Sequence, residues 1–328
     1  MKKLRVASFF AGVGGIDLGF ELTNHFKTIY ANEIDQFPIE TYELNFDISV
    51  DQRDISDVNP KEVPDCDVIV GGFPCQAFSV AGYQKGFEDK KGRGTLFFEL
   101  LRIIKAKKPE IVFLENVKNL VNHDNGNTYK VISEALKDAG YFIDGKVLNT
   151  MNYGNVPQNR ERIYIVGFKK RKMLKEFQFP DPITLTTKLD DIIDFERKVD
   201  KRFYYTKGKY KGKIYEKMID ATKKDNKKDR SIYQWRRAYV RKNQSHVIPT
   251  LTANQGEGGH NVCLLKTNNG KIRKMTPHEC FNAQGFPKSF ILPSKQSDSK
   301  LYKQAGNSVS VPVIKRIAEN IFNAYKNI

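Results

Sequence analysis

An alternation of short apolar runs with helical patterns fills the first half of the chain, and it constrains the fold more than any other feature. The apolar runs are Leu4–Phe10, Thr28–Glu33, Val68–Gly72, Ile111–Glu115 and Arg162–Phe168, and the helical stretches include Asp35–Asn45, Leu96–Lys107 and Tyr129–Ala139. Strands that alternate with helices form a parallel sheet whose two faces the helices cover. The sequence therefore predicts an α/β fold with a mostly parallel sheet.

A glycine-rich turn, Phe10–Gly15, follows the first apolar run and precedes a helical pattern. Such a turn lets the backbone approach a nucleotide-like ligand closely, and Glu33, about 20 residues further on, is placed to bind ribose hydroxyls. Asp17 stands where a dinucleotide fingerprint has its third glycine, which argues against a nicotinamide cofactor. Taken alone, the turn could also be purely structural.

The loop Gly71–Ser79 places Cys75 between a proline and a glutamine, just after the third apolar run. In open α/β folds ligands bind at this edge of the sheet, and a thiolate there can act as a nucleophile. The other cysteines, Cys66, Cys263 and Cys280, are expected to be small buried hydrophobes with free thiols. Their spacings match no zinc site and no disulfide framework, so a reducing compartment fits best.

Two further polar groups lie beside buried strands. Glu115 ends the fourth apolar run and could act as an acid or base beside Cys75, although a salt-bridged structural glutamate is the alternative. Arg160 and Arg162 precede or begin the last run, with a spacing that points both to one face, where they could hold a phosphate or a ring oxygen.

The composition changes near Lys169. The net charge of the chain is +17, and residues 169–260 contain 24 lysines and arginines against 12 acids. Such a segment suits a polyanion, with nucleic acid the leading candidate and a solvated lysine-rich surface the alternative. Residues 231–262 mix aromatics, arginines, threonines and glycines, and Val309–Tyr325 is predicted to be an amphipathic helix that completes the first domain.

Taken in order, these blocks resemble one family, the bacterial DNA cytosine-5 methyltransferases of restriction-modification systems. The resembling blocks are Phe10–Gly15, Gly72–Gln76, Glu115–Val117, Gln158–Arg162, Arg273–Pro287 and Gln304–Val309. The resemblance covers nearly the whole chain. It implies a methyl transfer from S-adenosylmethionine to carbon 5 of a flipped-out cytosine through a covalent Cys75 adduct.

The resemblance also implies the role of each site residue. The catalytic residues would be Cys75, Glu115, Arg160 and Arg162. The cofactor would be bound by Phe10, Gly12, Gly14, Gly15, Glu33, Asp54, Ile55, Pro74 and Asn307. DNA would be bound by Ser79, Gln84, Arg236, Arg237, Arg241, Thr250, Asn254 and Gln255. No metal is expected.

The same resemblance implies a Rossmann-like, S-adenosylmethionine-dependent methyltransferase domain with a smaller, irregular target-recognition domain. Residues 1–172 are predicted to form the catalytic and cofactor-binding domain, residues 173–285 the DNA-reading domain, and residues 286–328 a segment that returns to the first domain. The expected partner is double-stranded DNA, bound by a cytoplasmic monomer. A cognate restriction endonuclease is expected without a stable complex, and no membrane contact is expected.

Three alternatives remain at this stage. A tRNA cytosine-5 methyltransferase has a similar fold, but the long variable segment with Trp235, Arg236 and Arg237 favours DNA, which needs a separate reader of base edges. A catalytically inactive DNA-binding subunit is disfavoured by the intact Cys75 and Glu115. A nicotinamide dehydrogenase is disfavoured by Asp17.

Overall fold

The computed structural model describes residues 2–74, 96–208, 213–223, 230–236, 238–243, 245–255 and 260–328. The chain divides into two compact units: the first consists of Met1–Asn149, Glu161–Pro182 and Val311–Ile328, and the second of Thr150–Arg160 and Ile183–Ser310. These boundaries differ from the predicted ones at 172 and 285. Residues 150–160 belong to the second unit, and the chain returns to the first unit only at Val311.

The first unit contains a six-stranded sheet. Its strands are β1 (Leu4–Phe9), β2 (Phe26–Asn32), β3 (Val68–Gly71), β4 (Ile111–Val117), β5 (Phe142–Asn149) and β7 (Glu161–Phe168), arranged in the order β2-β1-β3-β4-β7-β5. Strands β2, β1, β3 and β4 run parallel to one another, and β7 runs antiparallel to both β4 and β5. The sheet is therefore mostly parallel and Rossmann-like, as predicted.

The antiparallel strand follows from how the chain connects β5 to β7. The parallel strands are linked through helices, whereas residues 150–160 lie in the second unit and contain only a short helix and a two-residue strand. A strand without a covering crossover helix returns alongside its predecessor in the opposite direction. The sequence pattern missed β5, because this edge strand is only partly buried and contains Gly145.

Helices cover both faces of this sheet. They are α1 (Gly15–Glu21), α2 (Gln36–Glu43), α3 (Leu96–Lys107), α4 (Asn127–Asp138), α6 (Arg171–Glu176) and α11 (Val311–Lys326). Buried side chains of α3 and α4, including Leu100 and Ile132, share one apolar core with β3 and β4. On α11, Ile314, Ile317 and Ile321 are buried. A Cβ at Gly19 of α1 would collide with Ile314, so this glycine allows the two helices to pack closely.

The second unit contains a smaller antiparallel sheet of β8 (Ile232–Arg236), β9 (Tyr239–Lys242), β11 (His260–Lys266) and β12 (Ile272–Lys274), in the order β12-β11-β8-β9. One face of it, with Tyr233 and Trp235, packs against Ile214 and Met218 of α8 (Ile214–Thr222). Trp235 is thus a core residue. The unit was expected to be irregular, but a sheet with its own apolar cluster organises this part of it.

The remaining elements of the second unit are short. They are α5 (Thr150–Tyr153), β6 (Gln158–Asn159), α7 (Leu189–Ile192), β10 (Ile248–Pro249), α9 (Pro277–Asn282) and α10 (Asp298–Asn307). Strand β10 pairs in parallel with β6, which joins the start of the unit to its middle. Thr276 and Glu279 form a capping box at the start of α9.

Candidate functional site

The glycine turn lies at the carboxyl end of β1, beside the end of β2. The amide of Gly12 donates a hydrogen bond of 2.9 Å to Oε2 of Glu33, whose Oε1 accepts from the amides of Ile34 and Asp35. Phe10 has a φ of 53°, a left-handed conformation that is uncommon for an aromatic residue. The structure therefore brings together three residues predicted to bind the cofactor: Phe10, Gly12 and Glu33.

The same turn has one open side and one closed side. A Cβ at Gly12 would meet no described atom within 4 Å, whereas a Cβ at Gly14 would collide with the rings of Tyr42 and Phe46. Gly15 is buried as the first residue of α1. The open side at Gly12 leaves room for a ligand to approach the backbone, and this fits the predicted nucleotide-like cofactor.

A buried acid lies behind the turn. Asp17 accepts hydrogen bonds from the hydroxyls of Ser8, at 3.0 Å, and Tyr42, at 3.3 Å. Burial raises the pKa of the Asp17 carboxyl to about 6, against the opposing effect of the Ser8 hydrogen bond. Asp17 therefore ties β1, α1 and α2 together where the dinucleotide fingerprint would have a glycine.

Two further residues predicted to bind the cofactor, Asp54 and Ile55, lie in the segment between α2 and β3. Asp54 accepts hydrogen bonds from the amide and hydroxyl of Ser56, at 2.9 and 2.7 Å, and Ile55 is buried. Two residues that the sequence analysis did not single out hold this turn. The Asn32 amide group donates to the carbonyl of Arg53, and Arg102 of α3 donates to the carbonyl of Ile55.

Glu115 and Arg162 form an ion pair on adjacent strands. Arg162 Nε lies 3.0 Å from Glu115 Oε1, and their side chains are only 13% and 10% exposed. In the register of β4 and β7, Arg162 is opposite Val117, so its side chain shares a face with that of Glu115. A Cβ at Gly72 would lie 3.4 Å from Glu115 Oε2. This carboxylate is therefore fixed beside the loop that leads to Cys75.

Asn116 connects that loop to β4. Its side-chain amide donates a 2.7 Å hydrogen bond to the carbonyl of Phe73, and its oxygen accepts from the amide of Val117. The ring of Phe73 also packs against Phe97, with centroids 5.4 Å apart. The sequence analysis gave Asn116 no role of its own, although its position directly after Glu115 could have indicated that it lies at the site.

Pro74 is exposed. Cys75, Ser79 and Gln84 lie outside the described residues.

Arg160 has a different environment from Arg162. It belongs to the second unit, is 1% exposed, and donates to the backbone carbonyls of Leu251, Gly306 and Ser308. These contacts suit a residue that positions backbone segments better than one that touches a substrate. Asn307 ends α10 with an exposed side chain between buried neighbours.

The residues predicted to read DNA lie in the second unit and differ in exposure. Arg241 is exposed on β9 and donates to Oε1 of Gln234, which faces it across the hairpin, at 3.3 and 2.9 Å. Arg236 is partly buried at the end of β8. Arg237 lies outside the described residues.

The second predicted DNA-reading stretch follows β10. Thr250 donates from its hydroxyl to the carbonyl of Asn159 at 2.6 Å, and the exposed Asn254 accepts from Thr252. Gln255 is only 3% exposed. Its side chain is therefore covered by protein, and the contact with DNA that was predicted for it stays a prediction.

Three cysteines are free and buried, as predicted. Burial raises the pKa of the Cys66 thiol to about 11 and raises the pKa values of Cys263 and Cys280 still more strongly. Thiols of this kind are poor nucleophiles at neutral pH. In the part of the chain that the structure describes, no group of acids, histidines and cysteines could hold a metal ion. Among the same described residues, no helix is both long and apolar enough to span a bilayer.

The chain is similar to known proteins over nearly its whole length. The chain is 57% identical to the type II methyltransferase M.Bsp6I of Bacillus sp. (strain RFL6) over 323 residues, which covers 98% of this chain and 99% of that protein. It is 39% identical to the type II methyltransferase M.HhaI of Haemophilus parahaemolyticus, over 97% of this chain and 94% of that protein.

The fold also has solved counterparts. The crystal structure of a Spodoptera frugiperda DNMT2 mutant superposes with a TM-score of 0.73 at 21% identity, covering 98% of this chain and 100% of that one. At that identity the likeness concerns the fold alone. Residues 4–323 match the family described as C-5 cytosine-specific DNA methylase. The chain therefore belongs to this family and is a DNA (cytosine-5) methyltransferase.

Proposed function

We propose that the chain methylates carbon 5 of one cytosine within a specific sequence of double-stranded DNA, with S-adenosylmethionine as the methyl donor and Cys75 as a covalent nucleophile. The observation that carries this proposal is the buried Glu115–Arg162 ion pair beside Gly72, together with the hydrogen bond from Asn116 to the carbonyl of Phe73. These contacts hold an acid and the approach to Cys75 at one edge of the sheet.

The cofactor site proposed here uses the turn at the end of β1. Phe10 would pack on the adenine, Glu33 would accept hydrogen bonds from the ribose hydroxyls, and Asp54 would accept one from the adenine amino group. The open side at Gly12 supports this assignment, as does the free acceptor capacity that a carboxylate keeps after it binds backbone amides. S-Adenosylmethionine, when bound, supplies an electrophilic methyl group.

The chain's own residues prepare the acceptor base. The Cys75 thiolate adds to carbon 6 of cytosine, the 5,6 double bond opens, and a proton is taken up at N3. Glu115 binds N3 and the exocyclic amino group and thereby favours this protonation, while Arg162 holds the carboxylate in place. Carbon 5 then has the electron density to accept the methyl group. Transfer of the carbon 5 proton to a base afterwards restores the 5,6 double bond and expels the Cys75 thiolate from carbon 6, and the proton at N3 is released.

The target atom is unreachable inside a duplex, so the cytosine must leave the base stack before this chemistry begins. We assign the choice of sequence to residues 231–262, with Arg236, Arg237 and Arg241 as the first candidates for base or phosphate contacts. The enzyme is proposed to act as a cytoplasmic monomer. It would protect DNA from a cognate endonuclease without forming a stable complex with it.

Mapping of methylated cytosines tests this proposal. Plasmid DNA from a strain that expresses the wild-type chain should carry 5-methylcytosine at one position of a short sequence, and DNA from a strain that expresses Cys75→Ser should carry none. Purified enzyme should methylate a duplex with that sequence and leave tRNA unmodified. Methylation by Cys75→Ser within about tenfold of the wild-type rate would contradict the nucleophile assignment, since a loss of nucleophilic catalysis costs far more.

A further inference from the structure

A short segment of the first unit, residues 51–58, is attached to the end of β2 by backbone hydrogen bonds. The amide of Asp51 donates to the carbonyl of Ala31 at 2.8 Å, and the carbonyl of Asp51 accepts from the amide of Glu33 at 3.1 Å. Glu33 also borders the glycine turn through its carboxylate. The segment, which we call the Asp54 segment, therefore begins beside the turn at the end of β1.

The carboxylate of Asp54 is oriented by its own turn. Oδ1 accepts from both the amide and the hydroxyl of Ser56, at 2.9 and 2.7 Å. Among the residues that the structure describes, none donates to Oδ2, and Asp54 is partly exposed. An ionised carboxylate offers only acceptors. Asp54 therefore presents a fixed oxygen that suits an amino group and repels a carbonyl oxygen.

Arg102 of α3 holds the part of the segment that follows Asp54. Each nitrogen of its guanidinium has one partner: Nε donates to Glu99 at 2.8 Å, Nη1 to the carbonyl of Val58 at 3.0 Å, and Nη2 to the carbonyl of Ile55 at 2.9 Å. A planar guanidinium satisfies such a set of acceptors only in one geometry. The side chain of Ile55 is also buried in the apolar core that includes α3. The residue directly after Asp54 is thus fixed by a helix.

Asn32, the last residue of β2, holds the part of the segment that precedes Asp54. Its side-chain amide donates to the carbonyls of Asp51 and Arg53, at 2.9 and 2.8 Å, and the residue is only 2% exposed. Displacement of either carbonyl would leave a buried donor unmatched, which is costly. The backbone is therefore held on both sides of Asp54 by side chains from two different elements.

We propose that Arg102 and Asn32 are positioning residues that make the cofactor site selective for a purine with an amino group at carbon 6. This inference rests on the proposed function, in which Asp54 accepts a hydrogen bond from the adenine amino group. Both residues act through Asp54, because they prevent its carboxylate from moving. A site built around one fixed acceptor discriminates strongly against a ligand that lacks the matching donor.

Hypoxanthine is the purine that tests this arrangement. It has an oxygen at carbon 6, which a fixed Asp54 carboxylate would repel, and a proton at N1. A carboxylate that is free to move could turn towards the N1 proton and accept it instead. Loss of positioning should therefore weaken the binding of adenine and relieve the rejection of hypoxanthine, so the ratio of the two affinities changes in one direction.

Titration calorimetry with S-adenosylhomocysteine and its inosine analogue measures this ratio. The Kd of the analogue divided by the Kd of S-adenosylhomocysteine is the base selectivity. We expect at least about tenfold selectivity for the wild-type enzyme, since a hydrogen bond to a charged group is lost with the analogue. Asp54→Ala should show a selectivity of about 1, because the discriminating acceptor is gone.

Arg102→Lys should reduce the selectivity to below about 3, because one ammonium group cannot hold two carbonyls and a carboxylate at once. Asn32→Ala, which releases the other side of the Asp54 segment, should have the same effect. In the Asp54→Ala background, Arg102→Lys should leave the Kd of S-adenosylhomocysteine within about twofold, since two changes that act through one group are not additive.

Arg5→Lys is the matched control. Arg5 also joins two distant parts of the first unit, because its guanidinium binds Asp67 at 3.1 and 3.2 Å, and its side chain is 39% exposed against 30% for Arg102. It lies near the start of β1, at the opposite edge of the sheet from the glycine turn. Both arginine variants should lower the Tm, but Arg5→Lys should keep the wild-type selectivity.

Several results would overturn the inference. They are wild-type selectivity in both Arg102→Lys and Asn32→Ala, an equal loss of selectivity in Arg5→Lys, and a selectivity of one in the wild-type enzyme. Failure of Arg102→Lys and Asn32→Ala to fold beside a folded Arg5→Lys would also overturn it, and Asn32→Ala decides the question if Arg102→Lys alone does not fold. A wild-type enzyme that does not bind S-adenosylhomocysteine, or wild-type selectivity in Asp54→Ala, would instead contradict the proposed function.

Discussion

The carboxyl edge of the six-stranded sheet and the surroundings of Arg160 in the second unit are both held by polar side chains, but in different ways. At the sheet edge, Glu33 binds amides one, two and 21 residues away, and Asn116 binds the amide of its own successor and the carbonyl of Phe73, two residues beyond β3. In the second unit, Arg160 binds carbonyls 91, 146 and 148 residues away.

This difference has a functional consequence. Side chains at the sheet edge lie on loops whose positions are already set by the parallel strands. A substitution of one of them should therefore disturb the surrounding structure only slightly. Arg160 holds two distant segments of the second unit at once, so its replacement should disturb both of them. The two arginines of one short motif illustrate this, since Arg162 pairs with Glu115 while Arg160, two residues earlier, binds carbonyl groups.

The largest expected effect is on chemistry at the sheet edge. Glu115→Gln keeps the shape of the side chain but removes its charge, and we expect the single-turnover rate of methyl transfer to fall by about 10²- to 10⁴-fold. Glu161→Gln is the control, because its ion pair with Lys118 is exposed and joins the first residue of β7 to the residue that follows β4. If both variants lose the same amount of rate, Glu115 has no special role in the chemistry.

The next prediction concerns how the free energy of unfolding changes with pH. The folded-state pKa of Asp17 is raised to about 6, against an ordinary value of 3.8, so the native protein binds this proton more tightly than the unfolded chain. The carboxyl should therefore destabilise the fold progressively as the pH rises from about 4 to 6. Asp17→Asn should remove this dependence, and the difference in unfolding free energy between variant and wild type should grow by about 2 kcal/mol from pH 4 to pH 7.

Urea denaturation of both proteins at several pH values measures that difference. The change should be confined to the pH range just given, because no other group differs between the two proteins. An unfolding free-energy difference that stays constant from pH 4 to pH 7 would show that Asp17 titrates normally in the folded protein.

A smaller effect is expected for the cofactor. Glu33→Ala removes a carboxylate proposed to bind two ribose hydroxyls, and such charge-assisted hydrogen bonds contribute about 1.5–3 kcal/mol each without strict additivity. The Kd of S-adenosylmethionine should rise by roughly 10- to 100-fold, while the Kd of the DNA measured without cofactor changes little. Unchanged cofactor affinity by calorimetry would remove Glu33 from the site.

The smallest effect concerns base reading in the second unit. If Arg241 reads a base, Arg241→Ala should cost about 1–3 kcal/mol of binding and relax the sequence preference at one position; if it binds a phosphate, affinity for all sequences should fall alike and the salt dependence should flatten. Gln234→Leu, which removes the acceptor for its guanidinium, should weaken the same preference if Gln234 orients Arg241. Binding to a set of duplexes with single base changes separates these outcomes.

The sequence predicts the sheet edge better than the second unit for a physical reason. Helix Leu96–Lys107 and the strand that starts at Val68 follow from local apolar periodicity, and the residues after each strand meet at one edge because the strands are parallel. The acceptors of Arg160 come from segments whose folding depends on long-range packing. The pattern of charges therefore suggested that Arg160 touches a substrate, and it gave no signal that Trp235 is buried.

The most direct test of the account is a covalent trap. A duplex with 5-fluorocytosine at the target position is incubated with the enzyme and S-adenosylmethionine, and the adduct is mapped by peptide mass spectrometry. Fluorine at carbon 5 cannot leave as a proton does, so the bond between carbon 6 and sulfur should persist, with the DNA attached to Cys75. An adduct on another residue, or methyl transfer to cytosine with no trapped adduct on the fluorinated duplex, would contradict the proposed mechanism.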